Sequence, residues 1–451
     1  MEDLKIQAKE TSFFDSLSKW STFWTYIKVK AHHPGIRKYS KNTAWMFTAR
    51  IGSMLVSFLA TAYIARNLGP GNFGQLSYAV SFVSLFSFLY SLGIDNVLYR
   101  DLIKHPGKKN EYLGSAFFIK MSTGIITALI IIIFALILTK DTISLILIFI
   151  LSGTFLFNSF QIINYEFQSR VEAKYPSIIS FCVSFTLNIL KILVILYGKG
   201  VIYLAIILLL ESILYAGAYL LIYKVKLKEK ITDWKFDKDI TISLIKDSWP
   251  LIFTGVFAMI YARIDQVFIK HMIDSHAVGI YDSAVRIVEV WYFLPSIIVS
   301  SLFPAIMNAK LTSIKLYESR LTKLAILLTV LSVGIAIPMT FFASLIIKIV
   351  YGPAFIDAVI ILKIYIWSGI GSFLSNLAGC YLIVENKRKL LFFFNFVPMI
   401  TNVILNLLWI PSYGIIGSAY ATLISYSLGP IFLIIVQHIG DRFTKKPQLA
   451  K

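Results

Sequence analysis

Twelve long apolar runs alternate with short polar seams along the 451-residue chain. The runs lie at 43–66, 74–98, 114–138, 143–165, 177–197, 201–223, 249–270, 279–304, 322–346, 358–383, 390–410 and 415–438. Each is close to the ~20 residues that a helix needs to cross a bilayer. The seams are rich in charge, glycine and proline, as in "RDLIKHPGKKNEYLG", "TKDT", "YGKG", "KVKLKEKITDWKFDKD", "ENKRK" and "IPSYG". This pattern predicts an all-α polytopic membrane protein with twelve transmembrane helices. It divides into an N-terminal segment (1–42), a first lobe of six helices (43–223), a basic linker (224–248), a second lobe of six (249–438) and a tail (439–451).

Ahead of the first run, Phe13, Leu17, Trp20, Trp24 and Ile27 recur at spacings that place them on one helical face, with Lys19, Lys28 and Lys30 nearby. That arrangement predicts an amphipathic helix lying on the cytoplasmic leaflet. Glu2, Asp3, Glu10 and Asp15, with no early apolar core, argue against a secretory signal peptide.

Composition agrees with the pattern. The chain is 57% hydrophobic and 15% charged, against about 25% charged in ordinary soluble domains. The net charge of +19 would suit nucleic acid, but its distribution points elsewhere. Thirty-two Lys and Arg fall in the two termini and in or at the edge of the seams after even-numbered helices, against five in or at the edge of the other seams: Arg66, Lys140, Lys199, Lys270 and Lys348. Basic residues gather on the cytoplasmic side of membrane proteins. Both termini and the linker are therefore expected in the cytoplasm, with no nucleic-acid partner. Cys182 and Cys380 both lie in apolar runs and imply no disulfide.

The halves are related. Shifted by 205 residues, "IARNLGPGNFGQLSYAVSFV" (64–83) lies over "IKHMIDSHAVGIYDSAVRIV" (269–288) without a gap. Gly74 then meets Gly279, and Ala79-Val80 meets Ala284-Val285. Six helices per repeat bring both halves in from the same side, so the repeat is parallel, about an axis along the membrane normal. Two such lobes enclose a central cleft, the geometry of alternating access. Within "YIARNLGPGNFGQ" the glycines suggest a phosphate loop, but the stretch joins two spans and lacks a following Lys-Ser/Thr. Gly69, Pro70 and Gly71 are expected to form a turn, Gly74 to begin the second helix, and Arg66 to anchor at the outer interface.

Candidate chemistry lies in the spans. Arg50, Lys191, Arg263, Arg286 and Lys363 are intramembrane cations; Lys120 is near a helix end and within snorkelling reach. A charge at mid-bilayer costs about 2.5–3.5 kcal/mol on insertion scales. Two readings are open: a cationic cavity that binds an anionic substrate, or ion pairs with Asp95, Glu211, Asp265, Asp282 and Glu289. Arg286 and Glu289 are three apart and within intrahelical reach. Asp265 and Glu289 are also candidates to carry a coupling ion, because a carboxyl in low dielectric exchanges protons near neutral pH. The chain has no GxxxxGK[ST], no HExxH and no paired-cysteine motif. It has no large loop opposite the linker side either, so an ATP-driven pump and a glycan polymerase are disfavoured, and no enzyme activity is expected.

Several stretches together resemble one family. "IARNLGPGNFGQLSYAVSFVSLFSFLYSLGIDNVLYRDL", "RIDQVFIKHMIDSHAVGIYDSAVRIVE", "LFPAIMN", "IVYGPAFIDAVIILKI" and "NVILNLLWIPSYGIIGSAYATLISY" occur in the order found in Wzx-type O-antigen repeat-unit flippases. These belong to the multidrug/oligosaccharidyl-lipid/polysaccharide (MOP) exporter superfamily. The resemblance covers about residues 43–438 and implies a MATE-like fold around a central cleft. It also implies a secondary transporter of undecaprenyl-diphosphate-linked oligosaccharide, without cofactor, driven by H+ or Na+. Its implied partners are the lipid-linked substrate, a polysaccharide polymerase and a chain-length regulator. Carried onto this chain, the family's cationic cavity falls on Arg50, Arg263, Lys191, Arg286 and Lys363. Two features depart from the family: the long N-terminal segment and "HMIDSHAVG" in place of a proline-glycine turn. A multidrug/cation antiporter of the same fold and a peptidoglycan-precursor flippase are the rival readings; the first needs an acidic cavity and the second usually has two more helices.

Overall fold

A computed structural model describes residues 34–444, so the amphipathic helix expected around 13–27 lies outside the described residues. Among them the chain is helical throughout, without strands. The first half comprises α1 (Pro34–Leu85), α2 (Ser87–Ser91), α3 (Ile94–Lys104), α4 (Lys109–Leu138), α5 (Thr142–Ser152), α6 (Thr154–Asn158), α7 (Ile162–Ser169), α8 (Lys174–Leu196) and α9 (Val201–Ile222). The second half comprises α10 (Lys238–Met272), α11 (Ser275–Glu289), α12 (Phe293–Thr312), α13 (Ile314–Phe341), α14 (Ala343–Val350), α15 (Ala358–Tyr365), α16 (Ser368–Val384) and α17 (Arg388–Thr444).

Nine helical stretches among the described residues are long and apolar enough to cross a membrane. Two of them, Trp45–Leu85 and Lys389–Ile431, have 41 and 43 residues. A straight helix of that length would run about 60 Å, twice the ~30 Å hydrocarbon core, so each must break. They break at Gly69 (φ 71°) and Gly414 (φ 59°), left-handed positions that glycine occupies at little cost. Across Gly414, Asn402 Nδ2 donates to Thr422 Oγ1 at 3.4 Å, so the chain doubles back there. Gly69 alone is the non-helical residue in its turn, which narrows the expected Gly69-Pro70-Gly71 turn. Aspartates start the helices that follow turns. Asp141, Asp237 and Asp274 accept from the backbone N–H of Ile143, Ile240 and Ala277, satisfying donors that a helix start leaves orphaned.

Gly74 does not begin a helix; it is a packing position. The second limb of α1 crosses α11 with Gly74 against Gly279. A Cβ on Gly74 would run into the Ser275 carbonyl oxygen and lie 2.7 Å from the Gly279 nitrogen. A Cβ on Gly279 would run into the Pro70 carbonyl oxygen. Pro70 and Ser275, like Gly74 and Gly279, are 205 positions apart. The contact is therefore reciprocal, as at the axis of a two-fold interface. One turn on, Ser77 Oγ donates to Asp282 Oδ2 at 2.6 Å, again between positions 205 apart.

Other contacts between the halves cluster at this end, which we call the turn end. Arg66 Nη1 donates to Ile349 O at 3.3 Å, Tyr78 and His271 share a 3.2 Å hydrogen bond, and Lys270 pairs with Asp141 at 3.5 Å. Arg66 thus reaches across to the other half. At the opposite, linker end, extensive packing between the halves is confined to α10.

The linker is strapped onto the first half. Glu229 accepts from Lys109, from Tyr223 Oη at 3.0 Å and from Arg170 at 3.3 Å. Trp234 Nε1 donates to Tyr223 Oη at 3.0 Å, and Lys235 N to Asn110 O at 3.1 Å. Arg100 bridges to Asp247 at 2.6 Å. Burial pulls the Glu229 carboxyl upward, but Lys109, Tyr223 and Arg170 together hold it below the usual carboxylate range.

Two outcomes follow. Gly74→Val forces the seam apart; overpacking of this kind costs about 1–3 kcal/mol, enough to shift a balanced two-state equilibrium roughly tenfold. With Cys182 and Cys380 replaced by serine, a Ser77→Cys probe should then react with a soluble maleimide roughly tenfold faster in the Gly74→Val background; equal rates would show that the glycines do not hold the seam. Because the Glu229 carboxyl is depressed, its contribution to docking is complete above the unfolded carboxylate range. It is lost as pH falls through the lower folded value. Limited proteolysis at 224–237 should accelerate on acidification in wild type, and the gain should shrink in Glu229→Gln.

Candidate functional site

The five cations singled out from the sequence are not gathered into one cluster. Three are paired: Lys191 with Glu211 at 3.0 Å, Arg263 with Glu289 at 3.4 Å, and Arg286 with Asp282 at 2.6 Å. Arg286 takes Asp282, four residues back, rather than Glu289. Its guanidinium lies 5.5 Å from the Phe73 ring centroid, within the seam between the halves. Lys120, expected to snorkel, is buried, pairs with Asp95 at 2.5 Å and sits over the Tyr90 ring. Arg50 and Lys363 have no ion-pair partner among the described residues, and both are exposed.

Arg50 has the setting of a binding residue. It lies seven residues into the first span, near the linker end rather than at mid-span. It lines a cavity of about 390 Å³ with Ser53, Asn164, Gln168, Ser177 and Tyr219, contributed by α1, α7, α8 and α9. Ser53 Oγ is buried without a hydrogen-bond partner. A guanidinium beside hydroxyl and amide donors, with no carboxylate on the wall, suits an oxyanion, since charge-assisted hydrogen bonds are the strong ones. Lys363 lines neither this cavity nor the next.

A second cavity, of about 630 Å³, lies in the second half between α10, α12, α16 and α17. Its wall is mostly aliphatic and aromatic, with hydroxyls and two amides set into it, and none of its lining side chains is charged. Cys380 is on this wall, whereas Cys182 is exposed on α8. The Arg50 cavity is lined from the linker-end portions of its helices and the neutral cavity from mid-span toward that end, so both sit away from the turn end.

Asp265 differs from the other acids. It is buried on α10 and accepts from Tyr281 Oη at 2.7 Å, Thr422 Oγ1 at 2.8 Å and Asn406 Nδ2 at 3.2 Å. All three donors are neutral. Asn406 also donates to Asn402 Oδ1 at 3.1 Å. Two nearby acceptors, Asn406 Oδ1 and Ser418 Oγ, are buried without partners. Glu289, the other expected ion carrier, is taken by Arg263.

Sequence reasoning missed three features. The Lys120–Asp95 pair links positions 25 apart on different helices, beyond any intrahelical rule. The neutral cavity carries no charge to draw notice. Ser77–Asp282 did have a signal: the 205-residue repeat offset names both members.

The description "polysaccharide biosynthesis protein" matches residues 39–310. Over 188 residues the chain is 31% identical to the probable flippase AglR of Haloferax volcanii; the match covers 39% of this chain and spans only 38% of that relative's length. It is 23% identical over 393 residues to the capsular polysaccharide biosynthesis protein CapF of Staphylococcus aureus, covering 85% of this chain and 96% of that one. Among solved structures, an inward-facing MATE-family multidrug transporter of the MOP superfamily superposes with a TM-score of 0.71 at 12% identity, covering 88% of this chain and 96% of that one. The lipid II flippase MurJ, in an inward closed conformation, gives 0.69 at 20% identity over 87% of each chain. The chain belongs to the polysaccharide biosynthesis protein family and has the fold of the MOP exporters, the superfamily that its sequence motifs resemble.

Proposed function

We propose that this protein flips undecaprenyl-diphosphate-linked oligosaccharide, a repeat unit of O-antigen or another surface polysaccharide, across the cytoplasmic membrane by alternating access. The observation that carries this reading is Arg50. It is an unpaired guanidinium in a polar cavity, on the side of the molecule away from the glycine seam. With the linker and both termini in the cytoplasm, as the Lys/Arg distribution argues, the sealed end faces out and the cavities face in. That is the loading state of such a cycle. The diphosphate binds Arg50 and its hydroxyl and amide neighbours, and the polyprenyl tail stays in lipid. Parting of the Gly74–Gly279 seam then presents the substrate to the other side. A cation antiporter of this fold would need carboxylates on the wall, and the Arg50 cavity carries none.

Asp265 couples the cycle to an ion gradient. A lone buried carboxylate with neutral partners lacks the counter-charge that low dielectric demands. A proton or Na+ supplies it, with the Asn402, Asn406 and Thr422 oxygens at hand. Ion binding favours one lobe packing and release favours the other, which is what coupling requires.

In a deletion strain that has lost its surface polysaccharide, the wild-type gene should restore it. Arg50→Ala, at equal membrane abundance, should not; losing charge-assisted hydrogen bonds of about 1.5–3 kcal/mol implies roughly a tenfold to hundredfold drop in substrate affinity. Normal export by Arg50→Ala would sink the assignment. Asp265→Asn should retain binding of the extracted lipid-linked oligosaccharide. It should lose the dependence of export on the Na+ or H+ gradient, measured with selective ionophores. Full gradient-driven export by Asp265→Asn would remove that residue from the coupling path.

A further inference from the structure

The neutral cavity of the second half carries a role distinct from that of Arg50. We infer that it is the glycan subsite: the first lobe holds the diphosphate, and the second holds the uncharged sugar residues of the same substrate. The inference rests on the lipid-linked reading above and deepens it.

The cavity's chemistry selects this occupant. A phosphate would need a cation, and none of the lining side chains is charged. A polyprenyl chain would suit the apolar part of the wall, but it would leave Asn376, Asn395 and Ser300 facing hydrocarbon. Asn376 Nδ2 donates to Ser372 O at 3.0 Å, and Asn395 Nδ2 to Leu391 O at 2.8 Å. Each amide spends one N–H on its own helix. Its carbonyl oxygen and second N–H remain for a ligand. Hydrocarbon against these groups would leave them unpaired, a penalty that disfavours it. Sugar hydroxyls both donate and accept, and they match. The remaining wall is apolar, part aliphatic (Val299, Ile383, Leu391) and part aromatic: Tyr261 and Tyr426 lie with ring centroids 4.3 Å apart, and Phe394 faces the same space. Aromatic faces suit the C–H face of a pyranose, and their rings bring rigid apolar area. At about 630 Å³ the cavity is within the roughly 300–1,000 Å³ of small-molecule sites. Its lining residues run from mid-helix in α10 and α12 to the linker-end turns of α16 and α17, on the same side of the seam as the Arg50 cavity.

Gly379 makes the inference testable. It lines the cavity, and a Cβ built there meets nothing within 4 Å, so a larger side chain enters the space without striking the fold. The probes are lipid-linked oligosaccharide extracted from a deletion strain and bare undecaprenyl diphosphate, titrated against the full chain in detergent. Wild type should bind the oligosaccharide form about tenfold or more tightly than the bare lipid, because a site built to hydrogen-bond rejects a ligand lacking the groups. Gly379→Phe should abolish that preference and leave bare-lipid affinity unchanged; Gly379→Ala should keep it. Asn395→Leu serves as a second variant with the same expectation as Gly379→Phe. The inference is overturned if wild type shows no preference, or if Gly379→Phe and Asn395→Leu weaken both ligands alike, as a tail or phosphate pocket would. In either case, a loss of both affinities in Arg50→Ala leaves the flippase reading standing. Failure of wild type to bind either ligand removes both.

Discussion

The architecture turns on one close approach, the crossing of Gly74 and Gly279. Inside a bilayer no hydrophobic force draws helices together, and small residues gain contact by letting backbones meet. Here that proximity lets short side chains do the joining. Ser77 reaches Asp282 at 2.6 Å, and Gln266 reaches the same carboxylate at 2.8 Å. Larger residues at either glycine would pull Ser77 away from Asp282 and leave that carboxylate to Gln266 and Arg286 of its own half. The seam and the open side are two aspects of the same geometry, since lobes drawn together at one end are free to diverge at the other.

Charge obeys a parallel logic. Lys120, Lys191, Arg263 and Arg286 each take a carboxylate of their own. Pairing lowers the cost of placing charge in low dielectric, so these four are accounted for by structure. Lys363, which lines neither cavity, aside, the groups left over are instructive because they are left over: Arg50 without an anion, Asp265 without a cation. They occupy different halves and call for different ligands. The paired set gives the frame its electroneutrality, and the unpaired set gives it something to bind.

The sequence announced the helices clearly, because runs of Ile, Leu and Phe near bilayer length permit little else. The repeat was legible for a subtler reason: the segment that meets its own copy at the axis tolerates few changes in size, so "IARNLGPGNFGQ" and "IKHMIDSHAVGI" stay in gapless register. Site residues were less legible. Periodicity sees partners three or four apart, and so it favoured Glu289 for Arg286 where Asp282, four residues back, was equally within reach. Glu211 and Asp95 reach their lysines across helices, a relation no local rule contains. Arg50 stood out as a cation in a span, but its nearness to the linker end and the cavity it lines there belong to tertiary structure. The neutral cavity left no mark at all, since serine, asparagine and aromatic residues are ordinary in helices.

Ser77 and Asp282 occupy equivalent places in the two repeats, and they touch. Had the molecule been a dimer of identical six-helix chains, each such position would face its own twin: serine against serine, or carboxylate against carboxylate in a dry interface. The second arrangement repels and the first forgoes a charge-assisted bond. Joining the halves in one polypeptide removes that restriction, because the two copies are then free to diverge. The Ser77–Asp282 bond is a contact that two identical halves related by exact symmetry could not make.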